Sequence, residues 1–111
     1  SSSRRYKNNI QGISDKVAGL SLLNPVSFTY KEQSNCRPHY GLIAEEVADV
    51  YPDLVITKDG LPDTIAYHEL PALLIEGYKQ QQAKINAHEN TIETLLQRIH
   101  QLEKTIQSTS P

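Results

Sequence analysis

The chain has 111 residues, a formal net charge of −2 and a hydrophobic fraction of 38%. This length accommodates one domain at most, and the slightly acidic balance argues against a general binder of nucleic acid or of membrane surfaces. A run of about 18 apolar residues, which a membrane span would need, is absent from the sequence. The single cysteine, Cys36, excludes an internal disulfide framework and fits a bystander thiol in a reducing compartment. Because so short and polar a chain buries only a small core, we expect it to associate with copies of itself.

The first part of the chain alternates short apolar patches with turn signals. The stretch "SDKVAGLSLLNP" predicts a short helix that Ser14 caps and Pro25 stops. The next stretch, "VSFTYK", alternates apolar and polar residues and predicts a half-buried strand. A polar connector, "EQSNCRPHYG", is expected to follow it.

A second helix and a hairpin are predicted after this connector. In "LIAEEVADVYP", the residues Leu42, Ile43, Val47 and Val50 recur at helical spacing, and the helix is expected to end at Pro52. The short apolar runs "DLVIT" and "DTIAY" flank "KDGLP", whose Asp-Gly step is a hairpin signal. The sequence therefore predicts an α+β fold in which a small module with a very small sheet, residues 1–67, comes first.

The remainder predicts a long helix over about residues 69–107 that forms a coiled coil. Isoleucines recur every seven residues from Ile85 onward, with a second series three positions after them. A helix of about 60 Å at ~1.5 Å rise per residue is far longer than the small module could cover, so its apolar stripe is expected to meet copies of itself. We assign residues 68–107 to a coiled-coil stalk and 108–111 to a disordered tail. The predicted seam comprises Leu74, Tyr78, Gln81, Ile85, His88, Ile92, Leu95, Ile99, Leu102 and Ile106.

The heptads favour parallel chains but leave the number of chains open. Arg98 and Glu103 occupy g and e positions that parallel chains in register bring together. Isoleucine at a with leucine at d leans towards two strands, whereas Leu96 at an e position widens the apolar face and leans towards three. Gln81 and His88 are polar layers that could fix the register of the chains.

The four histidines give no pattern typical of a metal site. His39 and His68 have no ligand spacing near them, and His88 and His100 lie twelve residues apart on the long helix. A ring of three His88 side chains in a trimer could hold a metal or an anion, but a hydrated polar layer is the commoner arrangement. We expect neither a metal nor another cofactor.

The basic N-terminus, "SSSRRYKNNI", offers one candidate for nucleophilic chemistry. Ser2 would be the nucleophile and a neutral Lys7 its base, with Arg4 and Arg5 as neighbours whose charge favours the neutral lysine. Residues five positions apart share no face in a helix and point to opposite faces in a strand. Pairing within one chain therefore needs an irregular backbone, whereas pairing between subunits does not. From composition alone, a solvated basic terminus is the simpler interpretation.

Three motifs occur in the same order as in a known family, and the resemblance covers nearly all of residues 2–107. The start resembles S-D-x-R-x-K-x-N-I, "LNPVSFTYK" resembles L-x-P-V-x-F-x-Y, and "YGLIAEEVADVYPDLV" resembles G-x-I-A-Q-E-V-x-x-x-x-P-E-L-V, with Glu45 in place of the usual Gln. In addition, "IAYHELPALLIEGYKQQ" resembles the entry to the family's C-terminal coiled coil. This family is the intramolecular chaperone auto-processing domain found at the C-terminus of phage tailspikes, endosialidases and tail fibres. It also occurs in a eukaryotic membrane-bound transcription factor family.

The resemblance implies a domain that trimerises a preceding β-rich fibre or spike, assists its folding and then cuts itself off. Carried over by position, Ser2 is the nucleophile and Lys7 the base of a self-cleaving serine endopeptidase that turns over once, at the bond between Ser1 and Ser2. Ser3, Arg5 and Asn9 would support the site. Ser3 stands where the family usually has Asp.

The implied partners are two further copies in a parallel homotrimer and the upstream β-rich domain, with neither nucleic acid nor membrane. The implied location is the host cytoplasm during phage assembly, followed by release from the mature virion fibre or spike. The alternative function is a structural coiled-coil oligomerisation module that never cuts, which the Ser3 departure keeps open.

Overall fold

A computed structural model describes residues 1–32, 34 and 36–109 of the chain. Of the predicted tail over 108–111, residues 110 and 111 lie outside the described residues, as do two positions of the predicted connector, 33 and 35. The chain divides into two compact units, Ser1–Gly77 and Tyr78–Pro111. Among the helices that the structure describes, none has the length and apolar character needed to cross a membrane.

The first predicted helix is wrong in type, since the segment forms two turns of 3₁₀ helix, Ser14–Lys16 and Ala18–Leu22. Its apolar residues Val17, Leu20 and Leu23 are spaced by three and pack against the core, which matches the three residues per turn of a 3₁₀ helix better than the 3.6 of an α-helix. The predicted cap is also wrong, because Ser14 is the first residue of its turn and Ile13 precedes it as the cap.

A two-stranded antiparallel sheet follows. Strand β1, Val26–Phe28, covers the first half of the predicted strand and pairs with β2, His39–Gly41. The prediction of a connector was therefore wrong at its end, because residues of β2 find their partner in β1. The rings of Phe28 and His39 stack with centroids 5.8 Å apart. Local sequence patterns do not predict this contact between the two strands.

The next helix and the hairpin are confirmed. Helix α1 spans Ala44–Val50, a 3₁₀ turn covers Pro52–Leu54, and strands β3, Val55–Lys58, and β4, Leu61–Ile65, pair antiparallel. Asp59 and Gly60 at the turn have φ of 53° and 76°, the left-handed conformation that a two-residue hairpin turn requires.

The core of the first unit is small. Its buried members are Val47 on α1, which is 1% exposed, together with Leu54, Ala66 and Leu73. Half-buried side chains from the 3₁₀ turns and the hairpin pack around them. The sequence was right to predict a module with little interior.

Helix α2, Leu70–Ser108, confirms the long C-terminal helix, so the α+β class holds with short antiparallel strands and one long helix. Leu73 in its first turns is buried, whereas every residue from Gln81 to Thr109 is exposed. The apolar seam positions of the second unit are about half exposed or more: Tyr78, Ile85, Ile92, Leu95, Ile99, Leu102 and Ile106. The parallel trimer stays a prediction, as do the functional domain boundaries.

Candidate functional site

Ser2 and Lys7 line one cavity of about 670 Å³ in the first unit. The cavity lies beside the buried core, because two core residues, Leu54 and Leu73, contribute to its wall. The other lining residues are Ile13, Lys16, Tyr51, Asp53, His68, Glu69 and Ala72. The two residues of the predicted pair thus border the same space within a single chain.

An irregular backbone between the two residues makes this arrangement accessible. A 3₁₀ turn, Arg4–Tyr6, follows Ser2, and the Lys7 amide donates to the Arg4 carbonyl over 3.1 Å. The residues on either side of the turn, Ser3 and Lys7, have extended backbone, with ψ of 144° and 138°. Because the chain is extended, turned and extended again, the objection that residues five apart share no face of a regular helix or strand does not apply.

Ser3 caps this turn. Its Oγ accepts a long hydrogen bond of 3.4 Å from the Arg5 amide, which is the bond that a capping side chain makes at the start of a helix. Aspartate and serine are both strong caps. Ser3 can therefore make the capping contact that the usual Asp would make, although it brings no negative charge.

Two predicted supporting residues, Arg5 and Asn9, do not line the cavity. The Arg5 guanidinium donates to the Tyr6 hydroxyl over 2.8 Å and lies 4.5 Å from the centre of the Tyr6 ring. Asn9 has a φ of 54°, a left-handed conformation that asparagine adopts more readily than most residues. The structure therefore gives Arg5 a contact with Tyr6 and Asn9 a left-handed backbone, and neither residue lines the cavity of Ser2 and Lys7.

Tyr51 connects the cavity wall to the segment of 3₁₀ turns. Its hydroxyl donates to the Lys16 carbonyl over 2.6 Å. Desolvation raises the pKa of Tyr51 above its ordinary value, and a hydrogen bond with the Gly19 backbone offsets part of that rise. Tyr51 is thus held as a neutral hydrogen-bond donor near neutral pH.

His68 is the residue of this cavity that the sequence reasoning missed. It was set aside because no metal-ligand spacing surrounds it, but the fold brings it to the wall that Ser2 and Lys7 share. It lies in a 3₁₀ turn, Tyr67–Glu69, directly before α2. The one local sign of a functional role was the position of His68 between a strand and a long helix, two rigid elements that fix the backbone on both sides.

Of the remaining histidines, His39 lies in the first unit but does not line the cavity. His39 belongs to β2, and His88 and His100 lie on the exposed part of α2. Among the residues that the structure describes, no three His, Cys, Asp or Glu side chains are grouped so as to hold a metal ion.

Comparison with known proteins gives one family. Residues 2–56 match a family model that carries the name of a peptidase and the description "chaperone of endosialidase". The matched segment includes Ser2 and Lys7 and ends within β3, before His68 and α2. Neither a curated protein nor a solved structure matches the chain.

Proposed function

The chain belongs to the family of chaperones of endosialidase, and we propose that it is the intramolecular chaperone of a longer fibre or spike protein. On this proposal it trimerises a preceding β-rich domain, assists its folding, and then releases itself by one cleavage immediately before Ser2. Its partners are two further copies of the chain and the upstream domain of the same polypeptide. The setting is the host cytoplasm during phage assembly, and the mature fibre or spike has lost the domain.

The proposed chemistry uses Ser2 and Lys7. The Ser2 Oγ attacks the carbonyl carbon of Ser1 while the Lys7 amine accepts the Oγ proton. The C–N bond between Ser1 and Ser2 then breaks, and the departing Ser2 nitrogen takes that proton from Lys7. An ester between the Ser1 carbonyl and the Ser2 Oγ remains. Water hydrolyses the ester, which leaves a carboxyl group on Ser1 and a chain that begins at Ser2.

The observation that carries this proposal is the shared cavity. Ser2 and Lys7 border one space of about 670 Å³, which has room for a peptide segment around the reacting bond. The reaction as written uses only these two side chains and water, and the family's name is that of a peptidase.

The proposed trimer is supported by the exposed seam of α2. Leu102 is 63% exposed and Ile106 66% in the single chain, and the apolar positions recur with the heptad period of a coiled coil. Burying such a stripe is favourable at about 25 cal/mol per Å². Association of copies is therefore the means by which this helix would remove its apolar surface from water.

The test is to express the chain with its native upstream segment and to follow cleavage on denaturing gels. Ser2→Ala and Lys7→Ala should leave the precursor intact while trimers still form, and the wild-type product should begin at Ser2 by mass spectrometry. Lys16→Ala is the matched control, since Lys16 is the second amine lining the cavity, and it should cleave normally.

Two outcomes would contradict the proposal. Efficient cleavage of the Ser2→Ala precursor would remove the nucleophile assignment, and cleavage by Lys7→Ala but not by Lys16→Ala would move the base to Lys16. A wild-type precursor that trimerises and stays full length would favour the alternative function, a structural module that never cuts.

A further inference from the structure

The cavity that Ser2 and Lys7 share contains one imidazole, that of His68, which has no part in the first step of the proposed reaction. Within residues 1–32, 34 and 36–109, the His68 side chain forms neither a hydrogen bond nor an ion pair. Both ring nitrogens therefore remain available to a water molecule in the cavity.

The backbone that carries His68 is fixed on both sides. The preceding Ala66 is buried, and its amide donates to the Leu54 carbonyl over 2.7 Å. The Tyr67 hydroxyl accepts from the Leu42 amide over 2.9 Å, and α2 begins two residues after His68. The backbone that presents His68 to the cavity is therefore fixed in position, which favours a group that must meet a reacting water there.

The second step of the proposed reaction needs a base for that water. The other titratable groups on the cavity wall are two lysines, two carboxylates and Tyr51, which already donates to the Lys16 carbonyl. Lys7 is already assigned to the first step, and carboxylates are weak bases near neutral pH. An imidazole is the side chain best matched to accept a proton at this pH.

We propose that His68 is the general base that hydrolyses the ester on Ser2, an inference that rests on the proposed function. The water oxygen attacks the ester carbonyl carbon while a ring nitrogen of His68 takes a proton from the water. The bond from that carbon to the Ser2 Oγ breaks, and the Oγ takes the proton back from the imidazolium. Ester and water are thereby converted to a carboxylic acid and the restored serine hydroxyl, with His68 unchanged.

The experiment uses the full precursor with its upstream segment. His68→Gln should complete the first step and then stall, so that full-length chains accumulate which neutral hydroxylamine splits to a product beginning at Ser2. We expect spontaneous release to be about 10²-fold slower than in the wild type. His39→Gln is the matched control, since His39 stacks on Phe28 and does not line the cavity, and it should cleave at the wild-type rate.

A second variant separates a chemical role from a structural one. His68→Ala leaves space in the cavity, so added imidazole should restore release in proportion to its concentration.

Three results would overturn the role of His68. One is His68→Gln release at the wild-type rate, and another is loss of cleavage without any hydroxylamine-sensitive chain or imidazole rescue. The third is failure of both variants to fold by circular dichroism, which would make the side chain structural. Failure of the proposed function looks different, because the Ser2→Ala precursor would then be cleaved or would still form a hydroxylamine-sensitive link.

Discussion

Replacement of Ile99 by serine tests whether the exposed seam of α2 holds copies of the chain together. Ile99 occupies an a position of the heptad and is 51% exposed in the single chain. Since Ile99 lies outside the small module and is about half exposed, the change should have little effect on that module and a large effect on association.

The size of the effect follows from this exposure. Burying an isoleucine side chain completely is worth about 1.5–3 kcal/mol, and roughly half of that remains to be gained when Ile99 enters a seam. The gain is about 1 kcal/mol per chain and about 3 kcal/mol per trimer on that basis. Since about 1.4 kcal/mol corresponds to a factor of ten, Ile99→Ser should weaken assembly by roughly a hundredfold or more, because the buried hydroxyl also needs a partner.

Sedimentation equilibrium over a range of protein concentrations measures this change. Gln101→Ser is the control, since it introduces the same residue two positions away at a c position, on the exposed face of the helix. It should assemble like the wild type, which separates lost burial from lowered helix propensity. Unchanged assembly of Ile99→Ser would refute the seam, and a wild-type mass of two chains would refute the trimer.

Three further predictions concern the small module, each measured by urea denaturation. A Cβ at Gly19 would lie 2.6 Å from a γ-carbon of Val50 on α1, so Gly19→Ala should lower the free energy of unfolding by about 1–3 kcal/mol. The control Gly12→Ala, with nothing within 4 Å of its Cβ, should change the free energy of unfolding by under about 0.5 kcal/mol. Equal effects of the two changes would contradict the close packing of Gly19 on α1. Because burial raises the pKa of Tyr51, its contribution is complete below about pH 10 and is lost as the pH rises through the raised pKa. Tyr51→Phe should therefore cost about 1 kcal/mol at neutral pH through the lost bond to Lys16 and should flatten the loss of stability above about pH 10, whereas an unaltered alkaline profile would count against Tyr51. Asn9→Ala should cost about 1 kcal/mol because of the left-handed backbone, while Asn9→Gly should be nearly neutral; similar losses in both would point to the amide side chain instead.

Local signals predicted much of this fold. The Asp59-Gly60 step specifies a turn with two positive φ values, and the hairpin forms there. Helix α1 follows from apolar residues at helical spacing, with Val47 as the most buried of them. The long period of the isoleucines predicted α2 to within a residue of each end.

The errors arose where a distant contact decides the local structure. The segment with Val17 and Leu20 forms 3₁₀ turns while Gly19 packs closely on Val50 and Tyr51, which lie far along the chain. Strand β2 exists because β1 pairs with it. His68 escaped notice for the same reason, since its relation to Ser2 is created by the fold and not by spacing along the sequence.

The candidate site shares its wall with the core, and this has a consequence for the order of events. Leu54 and Leu73 are members of the buried core and also line the cavity of Ser2 and Lys7. Leu73 belongs to the first turns of α2, so the cavity is complete only when that part of α2 has packed on the module. A chain whose core is unformed has no such cavity, and Ser2 and Lys7 would then lie in a solvated segment. If Ser2 and Lys7 cut as proposed, cleavage must therefore wait for folding of the module, which is the order that a chaperone removed after its task requires.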